Sequence, residues 1–155
     1  MSEKKRRALS TLLICLCLAT VAFIWGNSML GSKASSNVSN SVLGALDPII
    51  RRFGIVSKND LWLRKLAHFT EFGALGAELL FLAAVKGRLN FQAASNCAFM
   101  ALLAALVDET IQLVSGRNSQ VLDVLLDFSG ALTGILIAWL ICRLIKKYCE
   151  KRKRL

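Results

Sequence analysis

The chain has 155 residues, 55% of them hydrophobic and many in long uncharged runs, a composition that excludes an ordinary water-soluble domain and belongs to the membrane class. Twenty Lys plus Arg against ten acids give a formal charge of +10. The basic residues lie in flanks and loops rather than on a globular face, which excludes a nucleic-acid-binding module and leaves membrane topology as their reading.

A basic lead, Met1 to Arg7, precedes a first apolar run that predicts a transmembrane helix over about residues 8–27. It resembles a signal peptide, but the run is longer than an h-region and no small-x-small cleavage site follows it, so an uncleaved span is expected. Beyond a Ser/Asn-rich connector, apolar residues at Val42, Leu43, Leu46, Ile49, Ile50 and Phe53 recur at helical spacing. With Asp47 as N-cap, Pro48 at the first helical position and Gly54 as the stop, they predict a short interfacial helix between the first and second spans. Asn59 and Asp60 can cap the next helix.

Three further spans are predicted over about 64–85, 92–114 and 120–145, each able to cross a hydrocarbon core of about 30 Å at about 1.5 Å per residue. The expected fold is therefore all-α: a single membrane domain over 1–155, an integral bundle of four transmembrane helices. The five cysteines, Cys15, Cys17, Cys97, Cys142 and Cys149, fall in apolar runs or the basic C-terminal end, where small packing residues rather than a disulfide framework are expected. Placing the N-terminus inside puts thirteen of the twenty basic residues on the inner side, so both termini are expected to be cytoplasmic.

On that topology, polar residues of three helices meet near the outer face. His68 and Glu71 lie in the first turns of the second span, Asp108, Glu109 and Gln112 in the last turns of the third, Asp123 and Asp127 in the first turns of the fourth. The i, i+3 and i, i+4 spacings let each pair share one helix face. An acid inside a membrane costs about 2.5 to 3.5 kcal/mol on insertion scales, so a cluster of them points to function. Arg117, at the tip of the short third connection, and Lys65 supply the permanent cations. Five acids against these two cations and one His leave negative charge that protonation, water or a bound cation must relieve. Glu78 repeats the direction of Glu71 about 10 Å deeper and either closes a helix–helix hydrogen bond or serves function. Gly130 and Gly134, spaced as GxxxG, and Gly73 with Ala77 let neighbouring helices approach closely.

Two segments, KLAHFTEFGALG and DETIQLVSGRNSQVLDVLLDFSGALTG, together resemble the VanZ-like family of small bacterial membrane proteins over the motif-bearing core, residues 65–134. The family pattern is a K-x-x-H-F-x-E helix, a D-E-x-x-Q helix end, a G-R loop and a D-x-x-x-[DN]-x-x-G helix. By that match Lys65, His68, Glu71, Asp108, Glu109, Gln112, Arg117, Asp123 and Asp127 are the family residues of this chain. The resemblance implies a multi-pass protein of a bacterial cell membrane; in some members it implies low-level protection against the glycopeptide teicoplanin, without establishing a reaction.

The first functional expectation is a cell-envelope accessory protein that engages an anionic amphiphilic or lipid-linked ligand, teicoplanin or the cell-wall precursor it targets, through Lys65, Glu109, Gln112, Arg117 and Asp127, with membrane lipids as its other partners. The rival is a membrane-embedded hydrolase or transferase acting on a lipid headgroup. There His68 would be the general base, Glu71 or Asp123 its orienting partner, and Asp108 with Glu109 acid catalysts or ligands of a divalent cation, Mg or Mn rather than Zn. A third class, proton-coupled transport through Glu78 and Asp108, leaves little room for alternating access in four helices.

Overall fold

The structure, a computed structural model, describes residues 2–29, 60–116 and 120–152. They form four helices: α1 (Glu3–Met29), α2 (Asp60–Val85), α3 (Phe91–Val114) and α4 (Val121–Arg152). All four are long and apolar enough to cross a membrane. The helix foreseen around Asp47–Gly54 lies outside the described residues, as do Asn59 and Arg117.

The four helices cover the apolar runs and extend past them. α1 starts at Glu3 and α4 continues to Arg152, through basic turns. A helix goes on wherever each N–H finds its i−4 carbonyl, and solvated Lys and Arg are good helix formers, so it need not stop where the hydrocarbon does. Asp60 is the first residue of α2 rather than a cap before it.

Local chemistry fixes the two connections that the structure describes at helix ends. α2 stops at Gly87, whose φ of +76° only glycine adopts readily, with Gly87 N–H donating to Ala84 O and Arg88 N–H to Ala83 O, both at 2.9 Å. Asn90 then caps α3, its side chain accepting from Ala93 N–H at 2.8 Å. α3 ends through Ser115, whose N–H donates to Ile111 O at 2.9 Å, and Gly116 at φ +75°.

Packing is dominated by the pair α2 and α4, which run in the same direction, since Phe69 meets Gly130 and Ala77 meets Gly134. The two backbones touch along a seam of small residues. A Cβ on Gly130 would fall on the Phe69 carbonyl, one on Gly76 on the Ala131 carbonyl, and one on Gly134 on the Gly73 carbonyl. In lipid no hydrophobic drive favours helix association, so close backbone approach at small residues supplies the contact energy. Ala101, Ala105 and Ala131, fully buried with Phe72 and Leu75, extend the seam toward α3 and α1.

Around this core, Leu12, Leu18, Phe23, Leu103, Leu136 and Leu144 are exposed, an apolar jacket suited to hydrocarbon rather than water. α1 is the least embedded helix, burying Cys17, Ile24 and Ser28 along one stripe. It is tied on by Trp25 Nε1–H donating to Ala104 O at 3.3 Å, and by Thr20 Oγ1–H donating to Glu78 Oε1 at 3.0 Å. The five cysteines are free thiols.

Candidate functional site

The end of the bundle formed by the starts of α2 and α4 and the finish of α3 gathers the polar residues. α1 ends there too, since Ser115 Oγ lies 3.0 Å from both Ser28 O and Gln112 O. The glycine seam makes this convergence possible. With α2 and α4 parallel and in backbone contact just below, Lys65 and His68 are held one turn or less above the seam, beside Asp123 and Asp127.

α3 contributes the most deeply buried polar group. Asp108 is 0% exposed, Glu109 5% and Gln112 6%. The Gln112 amide ties them together: Nε2 donates to Asp108 Oδ2 at 2.7 Å and to Glu109 Oε1 at 3.0 Å. An i, i+4 and i, i+3 arrangement on one helix face produces both bonds. The second Asp108 oxygen, Oδ1, has no hydrogen-bond partner among the described residues.

His68, from α2, faces Asp108 with Nδ1 3.7 Å from Oδ2, an ion-pair rather than a hydrogen-bond distance. Asp127, from α4, completes the group at 1% exposure, its Oδ2 also without a hydrogen-bond partner among the described residues. One ligand-type atom from each of His68, Asp108 and Asp127 lies within 4.8 Å of the others. Asp108, Glu109, Asp123 and Glu71 are all close enough to act on the charge of Asp127. Glu71 Oε2 is buried and has no hydrogen-bond partner among the described residues either.

Asp123 goes elsewhere. Its Oδ1 accepts from Lys65 Nζ at 2.7 Å, and the pair sits at the rim with side chains 44% exposed for Lys65 and 22% for Asp123. Spacing put Asp123 and Asp127 on one face of α4; the structure separates them by depth, Asp127 with His68 and Asp108 inside, Asp123 with Lys65 at the mouth. Glu78, two turns down α2, is not part of the group, because Thr20 of α1 holds it.

Two residues at this end were not foreseen. Ser28, 0% exposed, has a hydroxyl with no partner among the described residues, and Ser115 bridges α1 to α3. Neither stands out in the sequence, since serine near a helix end is common and its partner is on another helix.

At the opposite end, a cavity of about 290 Å³ lies between α3 and α4, lined by Phe91, Leu136, Trp139 and Arg143 among others. Arg143 stacks on the Trp139 ring at 3.9 Å. It shares no residue with the polar group.

The model of the family described as VanZ/LLP1 matches residues 9–143, nearly the whole membrane-spanning part of the chain. No curated protein and no solved structure matches.

Proposed function

This chain belongs to the VanZ/LLP1 family, and from that premise we propose that its polar end is a binding site for an anionic amphiphilic or lipid-linked ligand. One observation carries the reading: α2, α3 and α4 bring buried polar side chains to one end of a bundle whose sides expose large apolar residues. A site so placed meets a ligand with one part in hydrocarbon and a polar part at the interface.

In this reading Lys65, half exposed at the mouth, and Arg117, between α3 and α4 in the chain, take the anionic group. Glu109, Gln112 and Asp127 meet hydroxyl, amine or amide hydrogens of the polar part. The basic-residue imbalance supports an orientation in a bacterial cell membrane with both termini cytoplasmic and the site toward the outer leaflet. Teicoplanin or the cell-wall precursor it targets is then the ligand to try first. The test is binding of those two compounds to the purified chain, with Arg117→Lys as the discriminating variant. A guanidinium clamp predicts that Lys loses binding while thermal stability stays unchanged. Full binding by Arg117→Lys would reduce Arg117 to a neutralising charge and remove the main support for an anionic ligand.

A second reading has its own support in His68 beside Asp108 at 3.7 Å. As a hydrolase or transferase on a lipid-linked headgroup, the protein would use His68 as general base, with Asp108, Glu71 and Asp123 as the acids around it. Headgroup release by wild type and none by His68→Ala would favour this reading. Ligand binding that survives His68→Ala favours the first.

A further inference from the structure

Among the described residues, the charge of Asp108 and Asp127 is answered only in part, by His68 at 3.7 Å from Asp108 Oδ2. Both are essentially inaccessible, at 0% and 1% exposure, and each keeps one side-chain oxygen without a hydrogen-bond partner among the described residues. Lys65 is spent on Asp123 at the rim. A buried carboxylate without a compensating partner is among the most costly arrangements a protein can hold, more so when other acids surround it.

The donor set suits a metal ion. His68 offers an imidazole nitrogen, Asp108 and Asp127 a carboxylate oxygen each, from three different helices, with those atoms within 4.8 Å of one another. Metal–ligand bonds of about 2.1 Å span about 3.7 Å at an angle of about 120°, the separation that His68 Nδ1 and Asp108 Oδ2 already show. Gln112 donates to that same Oδ2 at 2.7 Å, which fixes the carboxylate plane; Oδ2 keeps a second lone pair for an ion, and Oδ1 has no hydrogen-bond partner among the described residues. Orientation of a ligating carboxylate by such a hydrogen bond is what metal sites require.

We propose that His68, Asp108 and Asp127 bind a divalent cation, of the Mn2+ class, at the buried end of the polar site. Two hard carboxylates exclude the soft, thiolate-preferring ions, and the imidazole favours a first-row transition ion over Mg2+ or Ca2+. Three protein donors leave coordination positions open. On the functional reading above, those positions take an oxygen of the ligand's anionic group, which lets an acid-rich pocket hold an anion. The ion itself does not depend on that reading.

The test uses Mn2+ alone, with no lipid or drug. The full chain, purified in detergent and stripped with EDTA, is titrated with MnCl2 while the electron paramagnetic resonance signal of free aqueous Mn2+ is followed. The expected result is uptake of a single ion per chain and a rise in thermal stability with added Mn2+. Asp108→Asn and Asp127→Asn are each expected to weaken uptake by about tenfold or more, and Gln112→Ala, which touches no metal, by about tenfold. Absence of uptake and of thermal stabilisation in the wild type overturns the proposal whatever the variants do. Uptake that persists unchanged in the Asp108→Asn, Asp127→Asn double variant overturns it equally, because the ion would then sit on other acids. If ligand binding fails while Mn2+ uptake holds, the ligand reading falls and the metal site stands.

Discussion

The contact between α2 and α4 has two halves built on opposite principles. In the lower half, Gly73, Gly76, Gly130, Ala131 and Gly134 bring backbone against backbone with no polar side chain between them. In the upper half, Lys65, His68 and Glu71 meet Asp123 and Asp127, and buried oxygens of Glu71 and Asp127 lack hydrogen-bond partners among the described residues. The first half is what a helix pair in lipid needs for stability; the second is what it would avoid if stability were the only demand. A protein that breaks a local rule at one place commonly does so at its functional site, with the offset supplied elsewhere. Here the two places are adjacent on the same pair of helices.

The lower half is most vulnerable at Gly134. A valine there would drive its Cβ into the Gly73 carbonyl, which is backbone and cannot rotate away. Gly134→Val is expected to cost more than about 3 kcal/mol, the upper range for overpacking, and to take the polar site with it. Thermal unfolding in detergent measures this. An unchanged midpoint would show that the seam is not where the stability lies.

The acids should respond with the opposite sign. Asp127→Asn keeps the shape of the side chain and removes an ionisable carboxyl from a group that also holds Asp108, Glu109, Asp123 and Glu71. In the absence of divalent cations it is expected to stabilise the fold by about 2 kcal/mol while lowering ligand or metal binding. The same unfolding assay, with EDTA present, decides. A loss of stability would mean that Asp127 has a structural partner and that the contrast between the two halves is false.

Much of this architecture was legible beforehand, for physical reasons. Hydrocarbon admits only long apolar helices, so four runs of such residues dictate four spans, and the cost of intramembrane charge makes Asp108 and Asp127 conspicuous. The GxxxG spacing of Gly130 and Gly134 revealed a close approach, although not its partners: Gly76 against Ala131 depends on how two helices cross, which no single-helix pattern encodes. The same limit hid the division of labour on α4. Asp123 and Asp127 share a face, and only the register of α4 against α2 and α3 decides which one meets Lys65 and which meets His68. Polar turns were invisible for a simpler reason, since solvated basic residues continue α1 and α4 without any hydropathy signal.

Glu78 shows the same contrast on a smaller scale, because it has the same direction on α2 as Glu71 but a different partner. Thr20 of α1 donates to its Oε1 at 3.0 Å, an interhelical hydrogen bond inside the membrane. Such bonds average about 0.6 kcal/mol and reach about 1.7. Thr20→Val is therefore expected to cost roughly 1 kcal/mol of stability and to leave metal and ligand binding unchanged. Loss of binding in Thr20→Val at constant fold would join Glu78 to the site and extend the functional half of α2 downward.

The smallest effect is expected at the mouth, where Lys65 and Asp123 make the one described ion pair that links α2 to α4. At 44% and 22% exposure the two charges are partly screened, and ordering a lysine side chain offsets part of their attraction. A double-mutant cycle with Lys65→Gln and Asp123→Asn is expected to give a coupling of about 0.5 kcal/mol, near the middle of the range for exposed pairs. Binding should separate the two residues where stability does not. If Lys65 takes the anionic group of a ligand, Lys65→Gln weakens binding, whereas Asp123→Asn frees the ammonium and leaves binding equal or stronger. If both variants weaken it alike, the pair acts as a unit that shapes the mouth, and the anionic group is held by other cations. A coupling above about 2 kcal/mol would mean that the rim is as desolvated as the interior, and the boundary between the stabilising and functional halves would have to be drawn above Lys65 rather than below it.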